Sequence, residues 1–155
     1  MKIAVCSDHA GFKLKESVKS HLLDKGYEID DFGTHSLDSC DYPDFAHPAA
    51  RSVINGECSF GVAVCSSGNG MQMTLNKYRE IRAALCWLPQ LSALARQHNN
   101  ANFLVLPANF ISQELGLEIT DTFFSSDFEG GRHARRVAKI TGELDNRIDV
   151  EGEVM

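Results

Sequence analysis

The chain has no surplus of positive charge: 15 Lys and Arg stand against 21 Asp and Glu, for a formal net charge of -6. Non-specific binding to nucleic acid or to an anionic membrane surface depends on a broad positive field, so neither partner is expected. An anionic small molecule must instead meet a local basic patch. Paired cysteines are missing too. The five present, Cys6, Cys40, Cys58, Cys65 and Cys86, are odd in number and include no CxxC pair. That excludes a disulfide framework and an evident zinc site, and points to a reducing, cytoplasmic setting. No histidine pair stands at metal-ligand spacing with a carboxylate partner, so no metal is expected. No apolar run approaches a membrane span, and Ser7, Asp8 and His9 interrupt the start of the chain where a signal peptide needs its apolar centre.

What is present suits one globular domain: 155 residues, of which 43% are hydrophobic, are enough for a single core. Residues 2–6 are β-prone and end in Ser-Asp-His-Ala-Gly, after which Phe12, Leu14, Val18 and Leu22 recur at roughly helical spacing and Gly26 stands where a helix C-cap belongs. Residues 27–32 read as a second strand, a helix is expected from Asp44 as its N-cap, and residues 60–65 read as a third strand. A short helix over 71–77, a strand over 81–86, a helix carrying Leu91, Leu94 and Ala95, and a strand over 103–106 continue the alternation. A helix through Leu115, Ile119 and Phe123 follows, and a last one begins after Gly130-Gly131. Residues 145–155 are too acidic and too poor in apolar side chains to pack firmly, which divides the chain into a domain over 1–144 and an acidic C-terminal tail over 145–155. Strands alternating with helices imply an α/β fold: a doubly wound parallel sheet covered on both faces, with ligands beyond the carboxyl ends of its strands. Asp8, His9, Cys65 and Ser67 should meet at that edge.

The densest chemistry lies in residues 62–70, where the apolar run Val62-Ala63-Val64 ends in Cys65 and passes into Ser66-Ser67-Gly68-Asn69-Gly70. Such a turn aims several backbone N–H groups at one spot. With a helix behind it, the turn favours a thiolate and any oxyanion beside it. The plain alternative for Cys65 is a buried, inert strand residue. Other uses of a glycine loop fail on residues. GxGxxG is absent, no Lys-Ser or Lys-Thr pair follows, and the position where a cysteine phosphatase needs its arginine is Met71. Two further groups stand out. His98, in Arg96-Gln97-His98-Asn99-Asn100, ends a helix, where a histidine either satisfies carbonyls or carries a proton near neutral pH. Arg132 and Arg136 lie one turn apart, able either to grip a phosphate or to remain a solvated face.

Taken together, Asp8-His9-Ala10-Gly11, Asp41-Tyr42-Pro43, residues 65–70, Asn76-Lys77, Arg96-Gln97-His98-Asn99 and Glu129-Gly130-Gly131-Arg132-His133 resemble the type B ribose 5-phosphate isomerases. These belong to a family that also includes galactose and allose 6-phosphate isomerases. The resemblance runs in order from residue 1 to about 144. It implies a Rossmann-like α/β/α subunit that self-associates as a homodimer or a dimer of dimers, an active site built from both partners, and no metal or organic cofactor. Cys65 would be the base moving a proton between C2 and C1 of the open-chain sugar, its sulfur facing a cavity shared with His98 and the guanidinium pair. Ser67 and the amides of Ser66, Gly68, Asn69 and Gly70 would hold the enediolate oxygen. His98 with Asp8 would open the furanose ring, Asn99 and Tyr42 would position hydroxyls, and His9, Arg132 and Arg136 would bind the phosphate. The helix end and the loop amides are expected to lower the Cys65 pKa. Three positions depart from the family pattern: Ser66 replaces a frequent glycine, Met71 stands where some relatives carry a glutamate base, and Asn109 replaces a frequent phosphate-binding arginine. Two other readings remain at this point, a hexose 6-phosphate isomerase and a non-catalytic sugar-phosphate sensor.

Overall fold

The computed structural model describes the backbone of residues 1–150 and the side chains of residues 1–142. Five strands, β1 (Lys2–Ser7), β2 (Glu28–Asp31), β3 (Phe60–Cys65), β4 (Ala83–Leu85) and β5 (Phe103–Pro107), alternate with α1 (Phe12–Asp24), α2 (Tyr42–Ile54), α3 (Asn69–Leu75) and α4 (Pro89–Asn99). Two more helices, α5 (Gln113–Ser125) and α6 (Arg132–Val150), close the order. The strands form one sheet in the order β2-β1-β3-β5-β4, and every pairing is parallel, as the alternation implies. Helix α6 crosses residue 144 and continues to Val150; residues 151–155 of the acidic tail lie outside the described residues.

Side chains along each strand alternate between two cores, because successive Cβ atoms point to opposite faces of a sheet. Ile3, Val5, Val62, Val64, Leu104 and Leu106 meet α1, α4 and α5 through Leu14, Val18, Leu22, Ala95, Ile119 and Phe123. Ala4, Cys6, Ala63, Cys65, Phe103 and Val105 face the other way, toward Ala46, Ala49 and Ala50 of α2 and Met71 and Leu75 of α3. The small residues of this second face let α2 approach closely, and its parity points the Cys65 side chain into the α2/α3 layer.

Two helix starts differ from expectation. Helix α2 begins at Tyr42 with Asp41 as N-cap and Pro43 in its first turn. Proline is favoured there because its φ is already helical and the N–H it lacks would have no partner, so Asp44 falls inside the helix. Helix α3 begins at Asn69, two residues before Met71 and directly after Gly68.

Under the β1–β2 side of the sheet lies a fully buried lysine. Lys15 Nζ contacts Asp31 Oδ1 at 2.6 Å and Glu16 at 3.0 Å, while Lys19 reaches the same Asp31 carboxylate at 2.8 Å. Burial pushes the Asp31 carboxyl up, but hydrogen bonds from Lys15, Lys19 and the Gly33 N–H outweigh it and hold the group below the ordinary carboxylate range. A carboxylate depressed in the folded state stabilises the fold above its unfolded pKa, and that contribution disappears as pH falls through the folded value. Lys15→Ala leaves that carboxylate with only Lys19 and the Gly33 N–H as partners and should cost about 1–3 kcal/mol. Urea denaturation at pH 7 measures this loss. Repeating the series at acid pH should show the wild type weakening below about pH 4 and Asp31→Asn weakening less.

Candidate active site

Strand β3 delivers Cys65 to the carboxyl edge of the sheet, where it pairs with Pro107 of β5. The strand contact runs on past its end: Ala108 N–H donates to the Cys65 carbonyl at 2.9 Å and Asn109 N–H to the Ser66 carbonyl at 3.0 Å. The chain then turns sharply. Gly68 sits in the left-handed region at φ +80, and a Cβ there would collide with the Leu85 side chain. A Cβ on Gly70 would enter the Tyr42 ring, so the start of α2 lies directly on the loop. Only glycine fits at either position. Ser67 Oγ accepts the Asn69 N–H at 3.3 Å.

This turn aims the backbone N–H groups of Met71, Gly68 and Gly70 at the Cys65 sulfur. The side chain belongs to a residue only 4% exposed, and burial pushes its thiol above the ordinary range. The Met71 N–H opposes that push, the Asp8 carboxylate reinforces it, and the remaining two N–H groups do not reverse it. The expected lowering by loop and helix end is therefore overturned: desolvation outweighs the amides, and the sulfur rests as a thiol.

The loops after β1 and β3 lie side by side at this edge, as the topology implies. Asp8, buried, donates its N–H to the Val64 carbonyl at 3.3 Å and accepts the Gly11 N–H on Oδ1 at 2.9 Å. His9 Nδ1 accepts the Cys40 N–H at 3.2 Å, just ahead of Tyr42. Asn109 Nδ2 donates to Ser66 Oγ at 2.6 Å, so two of the departures from the family pattern are bonded to each other. Beside the loop opens a cavity of about 630 Å³ lined by Ser67, Asn69, Leu85, Trp87, Leu88 and Phe110. Trp87 is half-exposed at its mouth.

His98 and Asn99 stand elsewhere, at the carboxyl end of α4, which Asn100 terminates in a left-handed conformation. The loop before α6 is tied to that end by the Glu129 N–H, which donates to the Gln97 carbonyl at 3.0 Å. His133, in the first turn of α6, stacks on His98 with ring centroids 4.1 Å apart and planes within 7°. Glu129 Oε2 lies 3.8 Å from His98 Nε2 and 3.5 Å from His133 Nε2. Arg132 and Arg136 are exposed beside them. Burial, then the proximity of His98 and Arg132, push the His133 imidazole below its ordinary range. Sequence spacing alone gives Glu129 and His133 no role, since only folding brings them to His98. A signal was present in that Glu129-Gly130-Gly131-Arg132-His133 is one of the family motifs.

Within one chain the two groups are apart. Helix α4 runs back from the carboxyl ends of the strands to the start of β5, so His98 sits at the opposite edge from Cys65. The strand between spans about 13 Å for the five residues of β5. They also belong to opposite faces, Cys65 to the α2/α3 layer and α4 to the α1/α5 layer. Among the described residues no hydrogen bond, ion pair or ring contact links Cys65 to His98 or to either arginine. The shared cavity is therefore not formed inside one chain.

Fold and site together define an α/β enzyme of the doubly wound kind, with a buried thiol ringed by amide donors at the carboxyl edge of its parallel sheet. The sequence model of the Ribose/Galactose Isomerase family matches residues 3–140. Ribose-5-phosphate isomerase B of Escherichia coli K12 is 40% identical over 140 residues, covering 90% of this chain and 94% of that protein. The crystal structure of a ribose 5-phosphate isomerase from Thermotoga maritima is 54% identical with a TM-score of 0.88, covering 90% of this chain and 96% of that one. A Mycoplasma genitalium ribose-5-phosphate isomerase B with bound ribulose-5-phosphate aligns at 38% identity and a TM-score of 0.84, over 99% of this chain and 97% of that one. The chain belongs to the ribose/galactose isomerase family.

The raised thiol has a direct chemical readout. Iodoacetamide should label Cys65 slowly at pH 7 and progressively faster toward pH 10, followed by peptide mass spectrometry. The half-exposed Cys40 should react first, Cys86, pushed up to about 12 by burial, far later, and the fully buried Cys6, pushed up further still, last. Fast labelling of Cys65 that does not change between pH 6 and 9 would mean the loop amides prevail over burial.

Proposed function

We propose that the protein interconverts D-ribose 5-phosphate and D-ribulose 5-phosphate, with Cys65 as the base. The observation that carries this reading is the convergence of the Met71, Gly68 and Gly70 N–H groups on the Cys65 sulfur beside Asp8. A hydrogen α to a carbonyl is acidic enough to leave only when the oxyanion it generates meets preorganised donors, each worth about 3 kcal/mol. The thiolate takes the C2 proton of the open-chain aldose and returns it to C1, while a proton passes from O2 to O1 of the cis-enediolate. Ser67 and the loop from Ser66 through Gly68, Asn69 and Gly70 hold the enediolate oxygens. Tyr42, seated on Gly70, is suited to orient a sugar hydroxyl. A thiol above its ordinary range is a strong base once ionised, so activity should rise with pH through the neutral region.

The remaining roles draw on groups at the opposite edge, His98, Asn99, Arg132 and Arg136: His98 with Asp8 of the Cys65 edge opens the furanose ring, Asn99 positions a hydroxyl, and Arg132 and Arg136 with His9 of the Cys65 edge bind the phosphate. Phosphate binding far from the reacting carbons supplies energy that orients the sugar. Because one chain keeps these groups away from Cys65, the reading requires a second copy that brings its His98 end to the Cys65 edge, in a homodimer or a dimer of dimers. The working unit is residues 1–144, in keeping with the family match over 3–140, with 145–155 as an acidic tail. No helix among the described residues is long and apolar enough to cross a membrane, and five unpaired thiols suit the cytoplasm.

Exchange of the C2 proton with deuterated solvent, followed by proton NMR, tests substrate and base in one measurement. Cys65→Ala should slow exchange on ribose 5-phosphate by about 10²- to 10⁴-fold while calorimetric binding of the sugar phosphate stays within a few-fold. Ribose 5-phosphate should outpace allose and galactose 6-phosphates. Undiminished exchange in the variant would assign the base elsewhere, and binding without exchange in the wild type would make the protein a sensor.

A further inference from the structure

His98, Glu129 and His133 place three ligand-type atoms within 4.8 Å of one another, yet the ring geometry argues against a metal centre. Imidazoles parallel to within 7° aim their nitrogen lone pairs side by side instead of at a common point, and Arg132 and Arg136 add positive charge nearby. A different use fits better. His98 stands on the penultimate position of α4 with its side chain 38% exposed, where an unsupported ring samples several rotamers. His133 is the inner member of the stack, its side chain 10% exposed, and it is anchored in the first turn of α6. The Glu129 N–H bond to Gln97 holds the two helix ends together, and the Glu129 carboxylate faces both rings.

We propose that His133 is a positioning residue: its ring, clamped to the end of α4 through Glu129, fixes the plane of the His98 imidazole for opening the sugar ring. The inference rests on the ring-opening role given to His98 above. Being the shielded partner, His133 acts through His98 without itself meeting the sugar. A proton-transfer step at Cys65 needs no such help, so the two steps should separate on mutation. Ribulose 5-phosphate is the substrate that separates them, because with its C5 oxygen esterified it cannot close a furanose ring.

The test uses the full-length protein with two variants, His133→Ala and His133→Phe, the second keeping an aromatic face of similar size. Turnover of ribose 5-phosphate reports ring opening and proton transfer together. Exchange of the C1 proton of ribulose 5-phosphate with deuterated solvent reports proton transfer alone. His133→Ala should lower kcat on ribose 5-phosphate by about tenfold or more while the ribulose 5-phosphate exchange rate stays within about twofold of wild type, and His133→Phe should restore most of the lost turnover. Equal loss in both measurements, with a lowered melting temperature, would make His133 a packing residue and overturn the proposal. So would wild-type turnover in His133→Ala, or a His133→Phe variant no better than the alanine. A wild-type protein inactive on both sugars would instead sink the isomerase reading itself, which this design keeps distinct.

Discussion

Every functional consequence in this protein follows from the parallel direction of its strands. In such a sheet all strand carboxyl ends lie at one edge, and each connecting helix runs back so that its own carboxyl end lies at the other. Cys65 ends a strand and His98 nearly ends a helix. The two are therefore assigned to opposite edges by topology, before any side chain is placed. Strand periodicity adds a second separation, because Cys65 shares its parity with Ala63 and faces α2 and α3, while α4 lies across the sheet. One chain thus carries two half-sites, and the chemistry proposed for them needs a second copy.

Within the Cys65 half-site, two physical effects compete. Amide donors from Met71, Gly68 and Gly70 favour the thiolate, while burial and the Asp8 charge oppose it, and the opposition prevails. The result is a thiol that keeps its proton in the free protein and becomes a strong base on losing it. In the proposed reaction the same amides would meet the oxyanion of the sugar, as donors fixed in advance that need no reorganisation. The loop owes its shape to close contacts that a side chain would prevent, Leu85 against Gly68 and Tyr42 against Gly70. The Asn109–Ser66 bond then fastens the loop to the end of β5. Asn109 brings no charge to a phosphate, and its partner is the Cys65 loop itself.

Much of this was legible in the residues. Alternating strand and helix patterns suffice for the parallel doubly wound sheet, and topology alone brings Asp8, His9 and Cys65 to one edge. What stayed hidden depended on long-range geometry. Asp44 reads as an N-cap by residue type, but the fixed φ of Pro43 carries the helix back to Tyr42. Glu129 and His133 could not be connected to His98 by spacing, since two helix ends and a backbone bond create that cluster. The direction of the Cys65 shift is hidden for a related reason: a glycine loop is visible as a row of letters, but the burial that opposes its amides is not.

Complementation between inactive chains tests the two-chain site most directly. Cys65→Ala and His98→Ala proteins, each inactive alone on ribose 5-phosphate, are co-expressed in equal amounts and the mixed assemblies assayed for turnover. A site shared across a two-fold interface predicts recovery of about a quarter of wild-type activity, since half of the random dimers are mixed and each restores one of its two sites. Mixed assemblies, verified by mass spectrometry, that recover nothing would contradict the account.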